Sequence, residues 1–309
     1  MTSADDLSPY LTSRRSEIDA ALLAFLPSPP SCPSLVADAM RYSVTAGGKR
    51  LRPILCLAST EAVGGERRMS MPVACALEFI HTYSLIHDDL PAMDNDTLRR
   101  GRPTLHVVAG EGMAILAGDG LLTEAFALMA REPGGGDPVL AARRVRVIGI
   151  VATGAGAAGM VGGQAIDLAC VTPSADGSPP EPLDAEALRA MHARKTGALI
   201  RASATAGAVM GGGSDDQILA IDHAAAEFGL AFQIIDDVLD VEGASTDLGK
   251  TAGKDAAAGK PTYPALYGLE QSRQMAADCL ARAASILQRV DLADSRLLQI
   301  GRWIVERSN

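Results

Sequence analysis

The chain has 309 residues, of which 48% are hydrophobic and 4% aromatic, and it carries a formal net charge of −9. The hydrophobic share is enough for a sizeable core, and the acidic charge argues against a nucleic-acid partner. The five cysteines are scattered with no CxxC pair, which argues against a disulfide framework or a zinc site and is typical of a reducing cytosol. Abundant Ala and Leu and few alternating strand patterns predict an all-α protein.

We expect a cytoplasmic protein without a membrane span. The first residues include Asp5 and Asp6 rather than a basic segment, and the apolar patch 20–26 is short, so no targeting sequence is predicted. The most apolar run, residues 147–163, is rich in Gly and Ala and lacks the bulk of a membrane span. We interpret it as a tightly packed internal helix.

The N-terminal part of the chain predicts three helices, over residues 10–26, 34–45 and 54–63, with a basic turn before the third. This turn, Gly47–Pro53, reads GGKRLRP. Its two glycines let the backbone approach a ligand closely, and its three cations within four positions offer contacts to phosphate. A helix-ending turn with solvated bases explains the same residues, and the turn alone does not separate the two interpretations.

An acidic cluster ends the next predicted helix. Pro91 would clash with the carbonyl of His87, so the helix should kink or end near Asp89. Asp88 and Asp89 then lie on its last turn, and Asp94 returns on the following loop.

Carboxylates at a helix C-terminus are electrostatically unfavourable unless a cation neutralises them. Magnesium typically takes one or two carboxylates plus substrate phosphates. The arginines that follow, Arg99 and Arg100, suit phosphate oxygens. The cluster therefore predicts a magnesium–diphosphate site, and the alternative is a solvated acidic loop after a core helix.

The middle of the chain predicts helices over residues 110–128, 139–169 and 185–207. Residues 171–184 are rich in Pro, Ser and Asp and predict a surface flap. The third helix contains Lys195. A single lysine in an Ala-rich helix is usually solvated, so a functional role for Lys195 depends on its surroundings.

A second acidic cluster ends the predicted helix over residues 224–240, where the sequence reads FQIIDDVLD. Asp236 and Asp240 are one turn apart on the same helix face, where like charges destabilise a helix. This repeats the pattern of the first cluster and weakens the interpretation of both as solvated acids. The glycine-rich segment 243–261 predicts a lid whose lysines reach a bound diphosphate, and two or three further helices follow.

Six segments of the chain carry recognisable motifs. They are GGKRLRP (Gly47–Pro53), SLIHDDLPAMDND followed by LRRGRPT (Ser84–Thr104), GGQAIDL (Gly162–Leu168), KTGALI (Lys195–Ile200), FQIIDDVLD (Phe232–Asp240) and GK…GKPTYP (Gly249–Pro264). In combination they resemble the trans-prenyltransferases, also called polyprenyl diphosphate synthases, and most closely the bacterial-type farnesyl diphosphate synthases. The resemblance runs from about Ala39 to the C-terminus.

The resemblance implies an all-α fold in which residues 1–309 form a single large helical bundle with a deep central cavity, usually as a homodimer. It also implies three magnesium ions, which manganese can replace. Two of the ions would be bound by Asp88, Asp89 and Asp94, and the third by Asp236, Asp237 and Asp240.

The resemblance further implies two diphosphate subsites. Isopentenyl diphosphate would be held by Gly48, Lys49, Arg52, His81 and Arg100. The allylic diphosphate would be held by Arg99, Lys195, Gln233, Lys250 and Lys260. Lys195, Thr196 and Gln233 are the residues implied in stabilising the allylic carbocation.

The implied reaction joins isopentenyl diphosphate to dimethylallyl and geranyl diphosphates by ionisation, condensation and elimination. Tyr83 lies five residues before Asp88, about 7.5 Å along the helix axis at 1.5 Å per residue. Its ring is large enough to stop the growing chain, whereas Ser84 beside it is too small. The alternative is that Tyr83 faces a neighbouring helix and only packs the core, and the sequence does not show which of the two residues points into the cavity. In the bacterial enzymes that the chain resembles, an aromatic residue at this place goes with fifteen-carbon products. The resemblance thus favours farnesyl diphosphate as the product, with geranylgeranyl diphosphate as the alternative.

Other classes of protein explain the motifs less well. A terpene cyclase or a head-to-head synthase would also carry acidic clusters, but neither needs a second basic patch such as Lys49, Arg52 and Arg100. A non-catalytic regulatory subunit of a prenyl synthase is a remoter alternative, which would be expected to lose an acidic cluster. Both clusters are intact in this chain.

Overall fold

The computed structural model describes residues 7–172, 183–243 and 262–307. Regular structure in these residues is almost entirely helical, which confirms the predicted all-α class. In chain order the α-helices are α1 (Leu7–Phe25), α2 (Ser34–Val44), α3 (Leu51–Ala62), α4 (Arg67–Asp88), α5 (Leu105–Ala109), α6 (Glu111–Arg131), α7 (Pro138–Ala155), α8 (Met160–Ala169), α9 (Ala185–His192), α10 (Ala198–Gly211), α11 (Asp215–Gly243), α12 (Tyr263–Tyr267), α13 (Leu269–Gln288) and α14 (Arg296–Glu306). A π-helical turn, Ala193–Gly197, joins α9 to α10, and the short strands β1 (Leu98–Arg99) and β2 (Arg102–Pro103) form an antiparallel hairpin.

The chain divides into two compact units. The N-terminal unit contains Thr2–Gly149 and Ala206–Gly213, and the C-terminal unit contains Ile150–Thr205 and Ser214–Asn309. Each unit packs around one long helix, α4 in the first and α11 in the second. The single domain over residues 1–309 stays a prediction.

Helix α4 is the centre of the N-terminal unit and packs against α1, α2, α3 and α6. Every residue from Ser70 to Ile80 is buried, so this half of the helix is enclosed on all sides. A Cβ added at Gly207 of α10 would lie 2.0 Å from the carbonyl oxygen of Cys56 on α3. This glycine therefore allows the backbones of α10 and α3 to approach each other closely. This packing fixes the C-terminal end of α4, where the first acidic cluster lies.

Helix α11 is the centre of the C-terminal unit and packs against the π-helical turn, α12, α13 and α14. Phe228 and Ile234 are buried on it. Gly301 of α14 lies against the Phe228 ring, where an added Cβ would meet a ring carbon at 2.2 Å. The glycine therefore sets how closely α14 approaches α11. The second acidic cluster occupies the C-terminal half of α11.

Two predictions of helix continuity are wrong. Residues 139–169 form two helices, because the chain turns between Ala155 and Met160. In this turn Gly159 lies so close to α7 that an added Cβ would be 2.2 Å from a carbonyl oxygen there. Residues 185–207 form α9 and α10, which the π-helical turn separates.

Four helical segments of the described chain are long and apolar enough, by length and composition, to cross a membrane. They are Arg67–Asp88, Glu111–Arg131, Pro138–Ala169 and Asp215–Glu242. In the first, 78% of the most apolar window is buried inside the protein, so packing accounts for its apolar surface. The absence of a membrane span stays a prediction.

Candidate active site

The first acidic cluster lies where α4 ends. The helix stops at Asp88 with Asp89 as its C-terminal cap, which confirms the boundary predicted from Pro91. The backbone N–H of Asp94 donates to the Asp88 carbonyl at 2.8 Å, so the loop turns back and brings Asp94 beside the helix end. Asp88 is half-buried and Asp94 is exposed, so both residues are more accessible to solvent than the buried Asp89.

Asp89 has a different environment from Asp88 and Asp94. Its side chain is buried and accepts a forked interaction from Arg99, with Nε 2.8 Å from Oδ1 and 3.0 Å from Oδ2, and Nη2 2.6 Å from Oδ1. Burial raises the pKa of Asp89, although Arg99 opposes the rise. Asp89 and Arg99 thus neutralise each other in this structure, and their metal and allylic-diphosphate roles stay predictions.

The β1–β2 hairpin orients the two arginines, and the sequence did not predict it. Arg100 and Gly101 both have positive φ, 53° and 72°, as in the tight turns that match strand twist. The turn separates Arg99, which bonds Asp89, from Arg100, whose Nη1 donates to the Gly47 carbonyl. A Cβ at Gly48 would lie 2.5 Å from this Nη1, so the absence of a side chain at Gly48 leaves room for the guanidinium.

The basic turn and the hairpin meet at His81. His81 and Arg52 are half-buried, and Lys49 is exposed. Burial holds the pKa of His81 well below its ordinary value, and the charges of Arg52 and Arg100 lower it further. Three of the predicted isopentenyl diphosphate residues, His81, Arg52 and Arg100, therefore lie near one another in the N-terminal unit, where His81 is neutral and the two arginines are cationic.

The interpretation of Arg50 as a phosphate contact is wrong. Its side chain is 4% exposed, and its guanidinium bonds to Asp19, Glu78 and the Val44 carbonyl. Burial by itself lowers the pKa of Arg50, but the interactions with Glu78 and Asp19 are larger in sum, so the pKa of Arg50 is raised above its ordinary value. Because these acceptors lie 6 to 31 residues away, the spacing of the basic turn did not predict them.

We expect the low pKa of His81 to make stability depend on pH. Below about pH 6.5 the unfolded chain binds a proton at this residue that the folded chain does not, so stability falls as pH decreases. Chemical denaturation at pH 7.5 and 5.5 measures the loss, which is at most about 1.4 kcal/mol per pH unit for one group. The variant His81→Gln should lose less stability over this range than the wild-type protein, and equal losses would contradict the assignment.

Lys195 lies in the π-helical turn of the C-terminal unit. Its Nζ is 2.6 Å from Oδ2 of Asp167, which is 5% exposed. A Cβ added at Gly163 would lie 2.1 Å from the Lys195 backbone nitrogen, and one at Gly229 would lie 2.9 Å from the Cα of Gly197. The turn is therefore wedged between α8 and α11 by glycines, and π-helical turns are frequent at functional sites.

The second acidic cluster is held by contacts that the sequence did not predict. Asp236 Oδ1 is 2.5 Å from Nη2 of Arg307, whose guanidinium lies 4.0 Å over the Phe232 ring. Asp237 is buried, and its Oδ2 accepts from the Tyr263 backbone N–H at 2.9 Å. Asp240 is half-buried, so the three carboxylates predicted to bind the third ion differ in accessibility.

The remaining predicted residues of the C-terminal unit are Thr196 and Gln233. Both are half-buried, Thr196 in the π-helical turn and Gln233 one turn before Asp236 on α11. Lys250 and Lys260 of the predicted lid, and most of the predicted flap over residues 171–184, lie outside the described residues.

Tyr83 and Ser84, the predicted product-length residues, lie on different sides of α4. Tyr83 is 7% exposed, and its ring lies edge-on to His87 with 5.7 Å between centroids. On α6, a Cβ added at Gly118 would meet the His87 ring at 2.2 Å, so that glycine makes room for the ring pair. The Ser84 hydroxyl donates to the His81 carbonyl at 2.9 Å and is satisfied by its own helix.

The family model described as polyprenyl synthetase matches residues 33–293. The chain belongs to this family. It is 46% identical over 308 residues to the heterodimeric geranylgeranyl pyrophosphate synthase large subunit 1 of Arabidopsis thaliana, covering 99% of this chain and 81% of the relative. It is 45% identical over 304 residues to a dimethylallyltranstransferase of Fischerella ambigua, covering 98% and 84% of the two chains.

A solved structure of an FPP/GFPP synthase from Zymomonas mobilis has the same fold. It aligns with a TM-score of 0.84 and 37% identity over 98% of this chain and all of the solved chain. The chain is therefore a trans-prenyl diphosphate synthase, and it belongs to a family that uses isoprenyl diphosphate substrates.

Polyprenyl synthetases depend on divalent metal ions, and the carboxylates of this synthase suit such ions. Within residues 7–172, 183–243 and 262–307, no three His, Cys, Asp or Glu side chains converge closely enough to form a metal cage. Magnesium commonly binds one or two carboxylates and completes its shell with substrate phosphates and water. The accessible pair Asp88 and Asp94 fits that mode of binding, because it supplies oxygens only and leaves positions for a diphosphate.

Proposed function

We propose that this synthase makes farnesyl diphosphate from isopentenyl diphosphate and the allylic dimethylallyl and geranyl diphosphates. The observation that carries the proposal is the position of Tyr83, a buried aromatic ring five residues before Asp88 that His87 holds in place. A chain that grows from the acidic cluster along α4 would meet this ring after a short distance.

Geranylgeranyl diphosphate is the alternative product. Relatives that are 46% and 44% identical to this chain are named geranylgeranyl synthases, one from Arabidopsis thaliana and one from Cyanophora paradoxa. The choice therefore depends on whether Tyr83 stops the growing chain.

The basic patch would bind isopentenyl diphosphate. Lys49, Arg52 and Arg100 supply positive charge for the diphosphate oxygens, with Gly48 allowing the close approach of Arg100. Neutral His81 would donate one hydrogen bond without adding to the repulsion among these cations. The patch would orient the isopentenyl double bond toward the allylic substrate.

The allylic substrate would react by ionisation. Its C–O bond breaks with the electron pair leaving on diphosphate, and divalent ions, when bound, neutralise that charge. The isopentenyl double bond then forms the new C–C bond, and loss of a proton restores an alkene. The departing diphosphate accepts the proton, because the motifs contain no side chain placed as an evident base.

The C-terminal unit would stabilise the allylic carbocation through dipoles. Thr196 and the carbonyl of Lys195 lie in the π-helical turn, and Gln233 lies on α11 against which that turn packs. The Lys195 ammonium, paired with Asp167, and the Gln233 side chain would bind the allylic diphosphate. The resemblance implies the same role for Arg99, Lys250 and Lys260.

Metal binding is part of the proposal. Three magnesium ions, replaceable by manganese, would bind with the diphosphates. Two would use the first cluster, Asp88, Asp89 and Asp94, and the third would use Asp236, Asp237 and Asp240. Asp89 and Asp237 are buried, whereas Asp88, Asp236 and Asp240 are half-buried and Asp94 is exposed, so these last four are the stronger candidates for direct ligands.

A homodimer is the proposed assembly. Large apolar side chains are exposed on neighbouring helices of the N-terminal unit, with Val107 and Val108 on α5 and Ile115 and Leu116 on α6 at 44% to 55% exposure. A second copy would remove this surface from water. Light scattering tests the proposal, since a dimer has twice the mass of the 32.0 kDa chain. Cytoplasmic localisation is a proposal from sequence alone.

The decisive experiment supplies the purified protein with dimethylallyl and isopentenyl diphosphates and magnesium, and identifies the products by chromatography after dephosphorylation. We expect a fifteen-carbon linear alcohol. Omission of isopentenyl diphosphate is the control and should yield no elongation. A twenty-carbon main product would favour the alternative. Cyclic products, or no elongation with either allylic substrate, would contradict the proposed function and favour a cyclase or a regulatory subunit.

A further inference from the structure

We infer that Glu78 and Arg50 are positioning residues, a buried ion pair that holds the basic turn in the geometry needed for isopentenyl diphosphate. The inference rests on the proposed function, because it assigns a task to residues that touch no substrate themselves. We call Arg50, Glu78 and Asp19 the clamp.

The clamp ties the basic turn to other elements of the N-terminal unit. Arg50 Nη1 lies 2.8 Å from Glu78 Oε1 on α4, and its Nε lies 2.8 Å from Asp19 Oδ1 on α1. Arg50 Nη2 donates to the Val44 carbonyl at the end of α2, also at 2.8 Å. One guanidinium therefore connects the turn to three helices.

The two carboxylates of the clamp are not equivalent. The side chains of Arg50 and Glu78 are 4% and 3% exposed, whereas that of Asp19 is 46% exposed. Removing one partner of a buried pair leaves the other charge without compensation, and an exposed partner matters much less. The inner pair Arg50–Glu78 is therefore the part of the clamp that fixes the turn.

The place of the clamp in the chain links it to the proposed substrate site. Arg50 is adjacent to Lys49 and two residues before Arg52, and its φ of 52° is a left-handed conformation that ordinary side chains rarely adopt. Glu78 precedes His81 by three residues on α4. The clamp thus connects two of the three chain segments that supply the basic patch, and it holds Arg50 in an unfavourable backbone conformation that sets the course of the turn.

A buried pair that served stability alone would not affect one substrate more than another. A pair that positions the turn should selectively affect the binding of isopentenyl diphosphate. Lys49 and Arg52 are part of the turn and move with it, whereas the residues predicted to bind the allylic diphosphate lie outside it. Steady-state kinetics with each substrate varied separately distinguishes these two roles.

The test compares Glu78→Gln with the outer-carboxylate variant Asp19→Asn as its matched control. We expect Glu78→Gln to raise the KM for isopentenyl diphosphate about tenfold, with kcat and the allylic KM changed less than about twofold. Asp19→Asn should leave all three within about twofold. Calorimetry of isopentenyl diphosphate binding should show the same loss in Glu78→Gln without dependence on turnover.

A second variant, which combines Arg50→Met with Glu78→Met, is the control for effects of stability. Apolar replacement of both partners commonly preserves the stability of a buried pair, so this variant remains informative where Glu78→Gln fails to fold. We expect it to melt near the wild-type temperature and still to show the raised KM for isopentenyl diphosphate.

Two results would decide against the clamp as a positioning device. An unchanged KM for isopentenyl diphosphate in both variants, with or without lower stability, would show that the pair serves stability alone. Equal increases in the KM for isopentenyl diphosphate and the KM for the allylic substrate would lead to the same conclusion. Wild-type protein that fails to elongate any allylic diphosphate would instead overturn the proposed function, and the wild-type assay separates that outcome from failure of the clamp.

Discussion

Replacing Asp88 or Asp236 with asparagine should lower turnover at least about a hundredfold while the protein remains folded. The substitution removes one unit of negative charge and weakens an oxygen ligand at the position where a divalent ion would meet the leaving diphosphate. Asparagine is chosen because its carbonyl oxygen still accepts from Arg307, which bonds Asp236 Oδ1 at 2.5 Å and is itself buried. Alanine would leave that cation without its partner.

The control for this experiment is Asp216→Asn, an exposed acid in the first turn of the same helix α11. It should retain wild-type turnover, because it changes the net charge by the same amount far along the helix from Asp236. Thermal melting of all three variants separates loss of catalysis from loss of structure. Near-normal turnover in either cluster variant, or turnover by the wild-type protein in excess chelator, would be incompatible with the metal assignment.

Removal of the Tyr83 ring should lengthen the product from fifteen carbons to twenty or more. The ring is 7% exposed and is held edge-on by His87, for which Gly118 makes room. Tyr83→Ala removes the aromatic floor and leaves space that a further isoprene unit can enter. The cavity also lowers stability by about 3 kcal/mol, so the assay is best done well below the melting temperature.

Two matched variants show whether the ring itself is responsible. Tyr83→Phe keeps the ring and should make the wild-type product. Ser84→Ala removes only a hydroxyl that donates to the His81 carbonyl, and its product should also be unchanged. An unchanged product from Tyr83→Ala would place the floor elsewhere, and a mainly twenty-carbon product from the wild-type protein would show that Tyr83 does not stop the chain.

Local signals in the sequence predicted most helix ends and the family. The end of α4 at Asp88 follows from Pro91, whose ring excludes a helical carbonyl, and the all-α class follows from composition. These inferences succeed because they depend on residues within one or two turns of each other. The motifs that carry the family resemblance are also short and contiguous.

Local signals failed where the backbone conformation depends on a close neighbour. The π-helical turn at Ala193–Gly197 lies in a run of ordinary helix-forming composition, and the turn before α8 lies in a run rich in Gly and Ala that was predicted to continue as one helix. Gly159, Gly163 and Gly229 mark the close approaches, but a glycine in a sequence does not show what it approaches. Only packing identifies the partner.

The roles of the charged residues were decided by tertiary structure. Lys49, Arg50 and Arg52 are equivalent cations in the sequence, yet Arg50 is buried against Glu78 and Asp19, 28 and 31 residues away. Arg307 reaches Asp236 across 71 residues. The sequence by itself determined which side chains are available for a diphosphate and metal site, because chemistry resides in residue type. Which of them face a ligand and which neutralise each other depends on helix packing, because a charge is satisfied by whatever lies within hydrogen-bond distance in space.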